Sequence, residues 1–143
     1  MKVLLALAVL TTAVVLTAAG VASGVTYIDH DKVNAALAKG GALASGPDLL
    51  VSGNHREKAG EVEVHEKETD VIHVTDGEAN FVTGGTMVGG KPTKPGQIRG
   101  TDIKGGQAQH LVKGDVVVVP AGTPHWFKEV SKSVSYTVVK VLK

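Results

Sequence analysis

The sequence predicts an all-β domain, a small sandwich or barrel of short strands preceded by a single short helix. Three observations carry that expectation. Glycine makes up 18 of the 143 residues, while there are only two Phe, two Tyr and one Trp. Good helix formers are sparse after residue 40. From Leu49 onward, short runs rich in Val and Thr alternate with turn residues. A chain of this length has room for one domain, or one domain behind a targeting segment.

Taken in order, residues 1–23 are a leader. Lys2 is followed by an apolar run from Val3 to Leu16, broken only by Thr11 and Thr12, and then by small residues from Thr17 to Ser23. One positive charge, an apolar core of about 14 residues and a small-residue exit have the layout of a secretory signal peptide. A membrane anchor, the competing reading, would need roughly 20 apolar residues. The expected product is exported, periplasmic or extracellular, with about 120 residues left to fold. Residues 24–46 are read as a helix and linker. Within them Asp29 to Gly41 forms the helix, with Asp29 capping free amides, Val33, Ala36 and Leu37 on one face, and Gly40-Gly41 as the stop. Residues 47–143 hold the β domain.

Its strands are expected at Leu49–Ser52, Val62–His65, Val71–Thr75, Asn80–Thr83, Val116–Val119 and Ser133–Val141. Turns are expected at Gly53-Asn54, Asp76-Gly77, Gly84-Gly85, Lys113 to Asp115, and Gly122. The four valines of Val116–Val119 read as a strand buried on both faces. Eight glycines between Gly84 and Gln109 exclude a continuous strand there. That stretch reads as hairpin extensions, the alternative being a mobile loop over a pocket with Arg99 as an anion contact.

Composition narrows the chemistry. Fifteen Lys and Arg stand against 14 Asp and Glu, a formal charge of +1, and loss of Lys2 with the leader makes the balance 14 to 14. Nothing in that balance suggests a nucleic acid or an anionic membrane surface as partner. With no cysteine, lipoprotein processing, disulfides, thiolate metal sites and cysteine nucleophiles are all excluded. A metal must rest on His, Asp or Glu.

The most informative run is Gly114-Asp-Val-Val-Val-Val-Pro120-Ala-Gly122-Thr-Pro-His125. A turn, a valine strand, a proline that ends the pairing and a tight glycine turn place one imidazole at a defined point beside Trp126 and Phe127. The run resembles the second motif of the cupin superfamily, G-x5-P-x-G-x2-H-x3-N, matching every position through His125, with Glu129 in place of the final Asn. The first motif, G-x5-H-x-H-x3,4-E-x6-G, is met in part between Gly60 and Gly77. Placing His65 at the first histidine position puts Lys67 at the second and leaves one residue too few before Asp70. Placing His65 at the second position needs no gap and puts Glu63 at the first. We adopt that register.

The resemblance covers roughly residues 47–141. It implies a cupin β-barrel of two antiparallel sheets with the short helix outside, and a metal held by Glu63, His65, Asp70 and His125. Where the family supplies three histidines and a glutamate, this chain has Glu63 and the shorter Asp70 at two of the positions. The added carboxylate favours iron(II) or manganese over copper, with zinc or nickel also chemically suited. The same departures leave room for an empty, degenerate site.

Strand periodicity divides on the question. Asp70 shares a face with Ile72 and Val74, an interior setting in which an unpaired carboxylate is costly. On the preceding strand Glu61, Glu63, His65 and Lys67 share one face and Val62 and Val64 the other. That pattern fits a solvated polar face, or equally a barrel whose polar row points inward beneath an outer apolar covering such as a partner subunit. His73 lies out of phase with Asp70, which suits packing or an interface. Arg99, His110, Trp126 and Tyr136 are the candidate substrate contacts, and His55 could reach the pocket as readily as His110; His30, on the helix, faces solvent.

The expected activity is metal-dependent, dioxygenase-like or isomerase-like chemistry on a small oxygen-bearing molecule, with Glu63 as general base if it is not itself a ligand. A non-catalytic binding module for a small polar ligand is the alternative. Cupins resembling this chain are frequently homodimers joined through edge strands.

Overall fold

The computed structural model describes residues 24–143. The leader read at 1–23 lies outside the described residues. The helix α1 spans His30–Lys39. Its ends follow from its caps: the Asp29 side chain accepts from Lys32 N at 3.1 Å, and Gly40, at φ 75°, turns the chain out while its N–H reaches Ala36 O. The helix buries Ala36 against a strand at Gly53, where a Cβ would come within 2.7 Å of the Ala36 Cβ. Only a glycine allows that approach.

Eleven strands follow: β1 Gly41–Ser45, β2 Leu49–Arg56, β3 Val62–His65, β4 Glu68–Thr83, β5 Thr86–Val88, β6 Lys91–Lys94, β7 Gln97–Gly100, β8 Asp102–Lys104, β9 Gln107–Val112, β10 Val116–Val119 and β11 His125–Leu142. All their pairings are antiparallel. Residues 41–45, read as linker, extend the sheet beside β2.

Two long strands organise the barrel. β4 and β11 pair from His125↔Thr83 to Leu142↔Glu68, with irregularities in register between Val130 and Val134. Gly77 lies opposite Val134, at φ 73°, and a Cβ on it would stand 2.0 Å from Ser133 O. The Asp76-Gly77 signal, expected as a turn between two strands, is therefore a bend inside one strand. The first part of β4 and the second part of β11 join β10 and β2; their other parts join β9 and β3. Both halves feed one core, in which Ile72, Val74, Val134, Tyr136 and Val138 meet Ala79, Phe81, Leu111 and Phe127. Phe127 lies between Phe81 and Tyr136, with ring centroids 4.7 Å from each.

The glycine-rich stretch forms nested hairpins: β6 pairs with β7 at the end of the main sheet, and β5 pairs with β8 in a separate ribbon. Met87, on β5, lies over Gly100, the register partner of Val62. Val62 and Val64 are accordingly buried on the outer side of β3. The Val116–Val119 strand departs from expectation. Among the described residues β10 pairs with β4 alone, so it is an edge; Val119 is buried while Val116 and Val118 are 60% and 59% exposed. A valine run reads the same in a central strand and in an edge strand whose outer face is apolar.

Candidate metal centre

A cavity of about 690 Å³ opens between the two halves of the barrel, lined from β2, β3, β4, β7 and β11. The period of two along each strand selects its lining: Glu61, Glu63 and His65 leading into and along β3, Asp70 and Ile72 on β4, Gln97 and Arg99 on β7, Tyr136, Val138 and Lys140 on β11. The polar row around β3 thus faces the cavity, with the valines outward beneath the β5–β8 ribbon.

At its floor His65 and His125 are buried, 5% and 4% exposed, with ring centroids 5.0 Å apart. His65 Nε2 lies 3.4 Å from Glu63 Oε2 and 3.5 Å from Asp70 Oδ2; His125 Nε2 lies 3.7 Å and 3.9 Å from the same oxygens. Ligand atoms bound to one ion at about 2.1 Å stand roughly 3–3.5 Å apart. Small closing movements would suffice. Glu63, His65 and His125 form one group able to hold a metal, and His65, Glu68 and Asp70 an overlapping one.

The far side of each ring settles which nitrogen is available. His125 Nδ1 meets Thr123 O at 3.1 Å, and His65 Nδ1 meets the side-chain oxygen of Gln97. A carbonyl oxygen only accepts, so each Nδ1 donates, and each Nε2 is the nitrogen left facing the carboxylates. Gln97 is itself oriented by Glu68, which accepts from its Nε2 at 2.8 Å. Two Nε2 atoms and two carboxylate oxygens converge at the floor, an arrangement that places either ring protons or a cation between them. The donor set fits a divalent metal on that ground.

The surrounding charges are paired off. Glu63 Oε1 lies 3.5 Å from Arg99 Nη2 and 3.7 Å from Arg56 Nη2. Burial works against ionisation of Glu63, but the His65 hydrogen bond, Arg99, His125 and Arg56 together hold its carboxyl down to about 2. Such a group is a standing anion, suited to a metal and a weak base at neutral pH. Burial lowers the His125 pKa, against the nearby Glu63 and Asp70 charges that raise it, and raises that of Tyr136. Asp70, 4% exposed, is held at both oxygens by Lys140.

Of the residues expected to contact substrate, Arg99, Trp126 and Tyr136 line the cavity. Trp126 Nε1 donates to Gly60 O at 2.7 Å, and the Tyr136 hydroxyl accepts from Arg56 Nε at 2.8 Å. His110 does not reach it. It is exposed on β9, within 3.0 Å of Asn80 Oδ1, because β9 pairs with the part of β4 remote from Asp70. His55 faces the outside of β2 and bonds Ser135 Oγ at 2.8 Å. Glu129, standing where the motif has Asn, accepts from Asn80 at an exposed position. Sequence reasoning passed over Arg56, Glu68, Gln97 and Lys140. Only the alternation along β2, β4, β7 and β11 pointed to them, and it needs the register to be read.

The comparisons with known proteins agree with this geometry. The family model described as Cupin matches residues 60–141, more than half of the chain. The chain belongs to the cupin family. Among solved structures this cupin is similar to KdgF from a Halomonas species, at 17% identity and TM-score 0.52, over 72% of this chain and 78% of that one. It is also similar to BH2720 of Bacillus halodurans, at 14% identity and TM-score 0.53, over 71% and 68%. A conserved Klebsiella pneumoniae protein with a double-stranded β-helix domain aligns at 16% identity and TM-score 0.50, over 71% and 69%. At these identities the likeness shows the fold alone. No curated protein matches the sequence.

Proposed function

We propose that this cupin is an exported, metal-dependent enzyme acting on a small oxygen-bearing organic molecule. One observation carries the reading: two buried imidazoles turn their Nε2 atoms toward the carboxylates of Glu63 and Asp70 on the floor of the cavity. Glu63, His65 and His125 would hold the ion, with Asp70 beside them. Two histidines and a carboxylate suit iron(II) or manganese ahead of zinc or nickel. Such an ion would supply Lewis acidity and, as iron(II), a route to dioxygen chemistry. The chain's own residues shape and dry the cavity: Phe127, Tyr136 and Val138 wall it, and Arg56 and Arg99 hold Glu63 ionised.

Elemental analysis of untagged protein, before and after reconstitution with iron(II) or manganese, tests the reading. Close to one ion per chain supports it; less than about a tenth after reconstitution overturns it.

A second reading is favoured by the charges. Lys140 on Asp70, and Arg56 and Arg99 on Glu63, satisfy the carboxylates within the protein. That arrangement would serve a non-catalytic module for a small polar ligand. Export rests on the sequence of residues 1–23, and among the described residues no helix is long and apolar enough to cross a membrane. The homodimer rests on β10, whose free edge carries Val116 and Val118 outward. Amino-terminal sequencing of the secreted product tests export.

A further inference from the structure

We infer that two copies of this chain pack against each other through the outer face of the β2–β11–β4–β10 sheet. The inference rests on the homodimer reading above, and it places the contact on the breadth of the sheet rather than on the free edge of β10. Leu50 and Ser52, Asp70 and Ile72, and Val138 and Lys140 line the cavity, so the alternate positions of the same strands point outward. One outward row crosses four strands as Val118↔Val71↔Val139↔Val51. The pair Leu49↔Val141 flanks it on one side and Val116 on the other. Leu49, Val116, Val118 and Val141 are four of the seven exposed large apolar side chains among the described residues, which concentrates such exposure on this face.

An antiparallel sheet that met only water on this side would carry polar residues there. Between Leu49 and Gly53, Thr69 and His73, Val116 and Val118, and Thr137 and Val141, no outward position is Asp, Glu, Lys or Arg. Helix α1 covers one end only, where Ala36 meets Gly53 and Leu37 O accepts from Ser135 Oγ at 3.2 Å. The other outer face of the barrel is built in the opposite way. There Glu78 accepts from Ser131 at 2.9 Å and Glu129 accepts from Asn80 at 2.7 Å, both at exposed positions. One outer face is made for water and the other is not.

Size and charge name the partner. Four strands about 4.8 Å apart and about five residues along each cover roughly 19 by 17 Å. That is the apolar core of a standard interface, which buries about 800 Å² a side once a polar rim is added, here by α1 and the strand ends. An uncharged face offers a charged partner nothing to pair with. A second copy matches it, because a two-fold axis lays the face on itself with no like charges meeting, and two sheets stack at about 10 Å through such side chains. The cavity lies on the inner side of the same strands, clear of the contact.

Sedimentation equilibrium of the purified protein tests this. The native chain is expected to form a dimer, and Val51→Lys with Val139→Lys should raise its dissociation constant at least about hundredfold while melting stays cooperative. Val139 and Val51 lie on strands roughly 10 and 14 Å from β10, out of reach of a strand added at its edge. A dimer that survives the double substitution overturns the inference and leaves an edge-joined homodimer standing. A native monomer refutes both, and one that floats with neutral phosphatidylcholine vesicles gives the face to lipid instead. If the double variant does not fold, Val139→Cys decides, since the chain has no cysteine of its own. Maleimide labelling of that thiol should slow about tenfold between the monomeric and dimeric concentration ranges, and equal rates overturn the inference.

Discussion

Lys140 grips Asp70 by both oxygens, its Nζ 2.8 Å from Oδ1 and 3.0 Å from Oδ2, and the same Nζ lies 2.9 Å from Glu68 Oε2. The two are register partners on β11 and β4. Lys140 thus supplies positive charge to a carboxylate whose Oδ2 also faces both histidines.

Removing that cation should weaken the metal-free protein and strengthen metal binding. In Lys140→Met a buried carboxylate loses its partner, and unfolding free energy without metal should fall by about 3 kcal/mol. Manganese affinity, measured by chelator competition, should rise about tenfold as Asp70 becomes free to bind. Unchanged or weaker affinity would mean Asp70 is no ligand.

The two imidazoles should be indispensable and a third dispensable. His65→Ala and His125→Ala each remove a buried Nε2 from the floor and should reduce metal content below about a tenth of an ion per chain. His73→Ala, on the exposed side of β4, should leave it unchanged. Metal retained in either of the first two places the ion elsewhere.

Acid should destabilise the metal-free protein in two steps. Burial lowers the pKa of His125 below its ordinary 6.5, so the unfolded chain takes that proton first and stability declines as pH falls below 6.5. Glu63 is held near 2 against an ordinary 4.5, so its contribution is complete above 4.5 and lost as pH falls toward 2. That second step is worth on the order of 3 kcal/mol. Urea midpoints followed from pH 7 to 2 should show both, and Glu63→Gln should erase the lower one alone.

Gly77 and Gly84 share φ 73° but differ in surroundings, since nothing lies within 4 Å of a Cβ on Gly84. Gly84→Ala should cost about 1 kcal/mol, the conformational penalty alone. Gly77→Ala adds a collision with Ser133 O and should cost roughly 3 kcal/mol or more, read from denaturant unfolding.

If β10 joins two copies, Val116→Lys with Val118→Lys should halve the mass found by sedimentation while leaving the melting curve of the chain cooperative. A native protein that already sediments as a monomer would refute the dimer.

How legible was all this in the residues? The helix was, because Asp29 is a strong start signal and Gly40 a strong stop signal, and so was the Gly114–His125 run, where turn, strand and histidine have fixed spacing. Asp70 was legible as an interior carboxylate from Ile72 and Val74, but its partner was not: Lys140 lies 70 positions away and meets it only through the β4–β11 register. The face of β3 could not be decided in isolation, because Val62 pairs with Gly100, over which Met87 lies, and that placement depends on glycine turns whose pairing no local pattern specifies. Gly77 read as a turn because a glycine at positive φ serves a tight bend and a bent strand alike.

β11 delivers His125 to the centre at one end and Lys140 at the other, and it closes the sheet by pairing Val141 with Leu49. Pairings between such distant parts of a chain form late and slowly, after their loop entropy has been overcome. Glu63 and His65 come from β3 and His125 from β11, so the group that could hold an ion exists only where β11 is paired with β3 and β4.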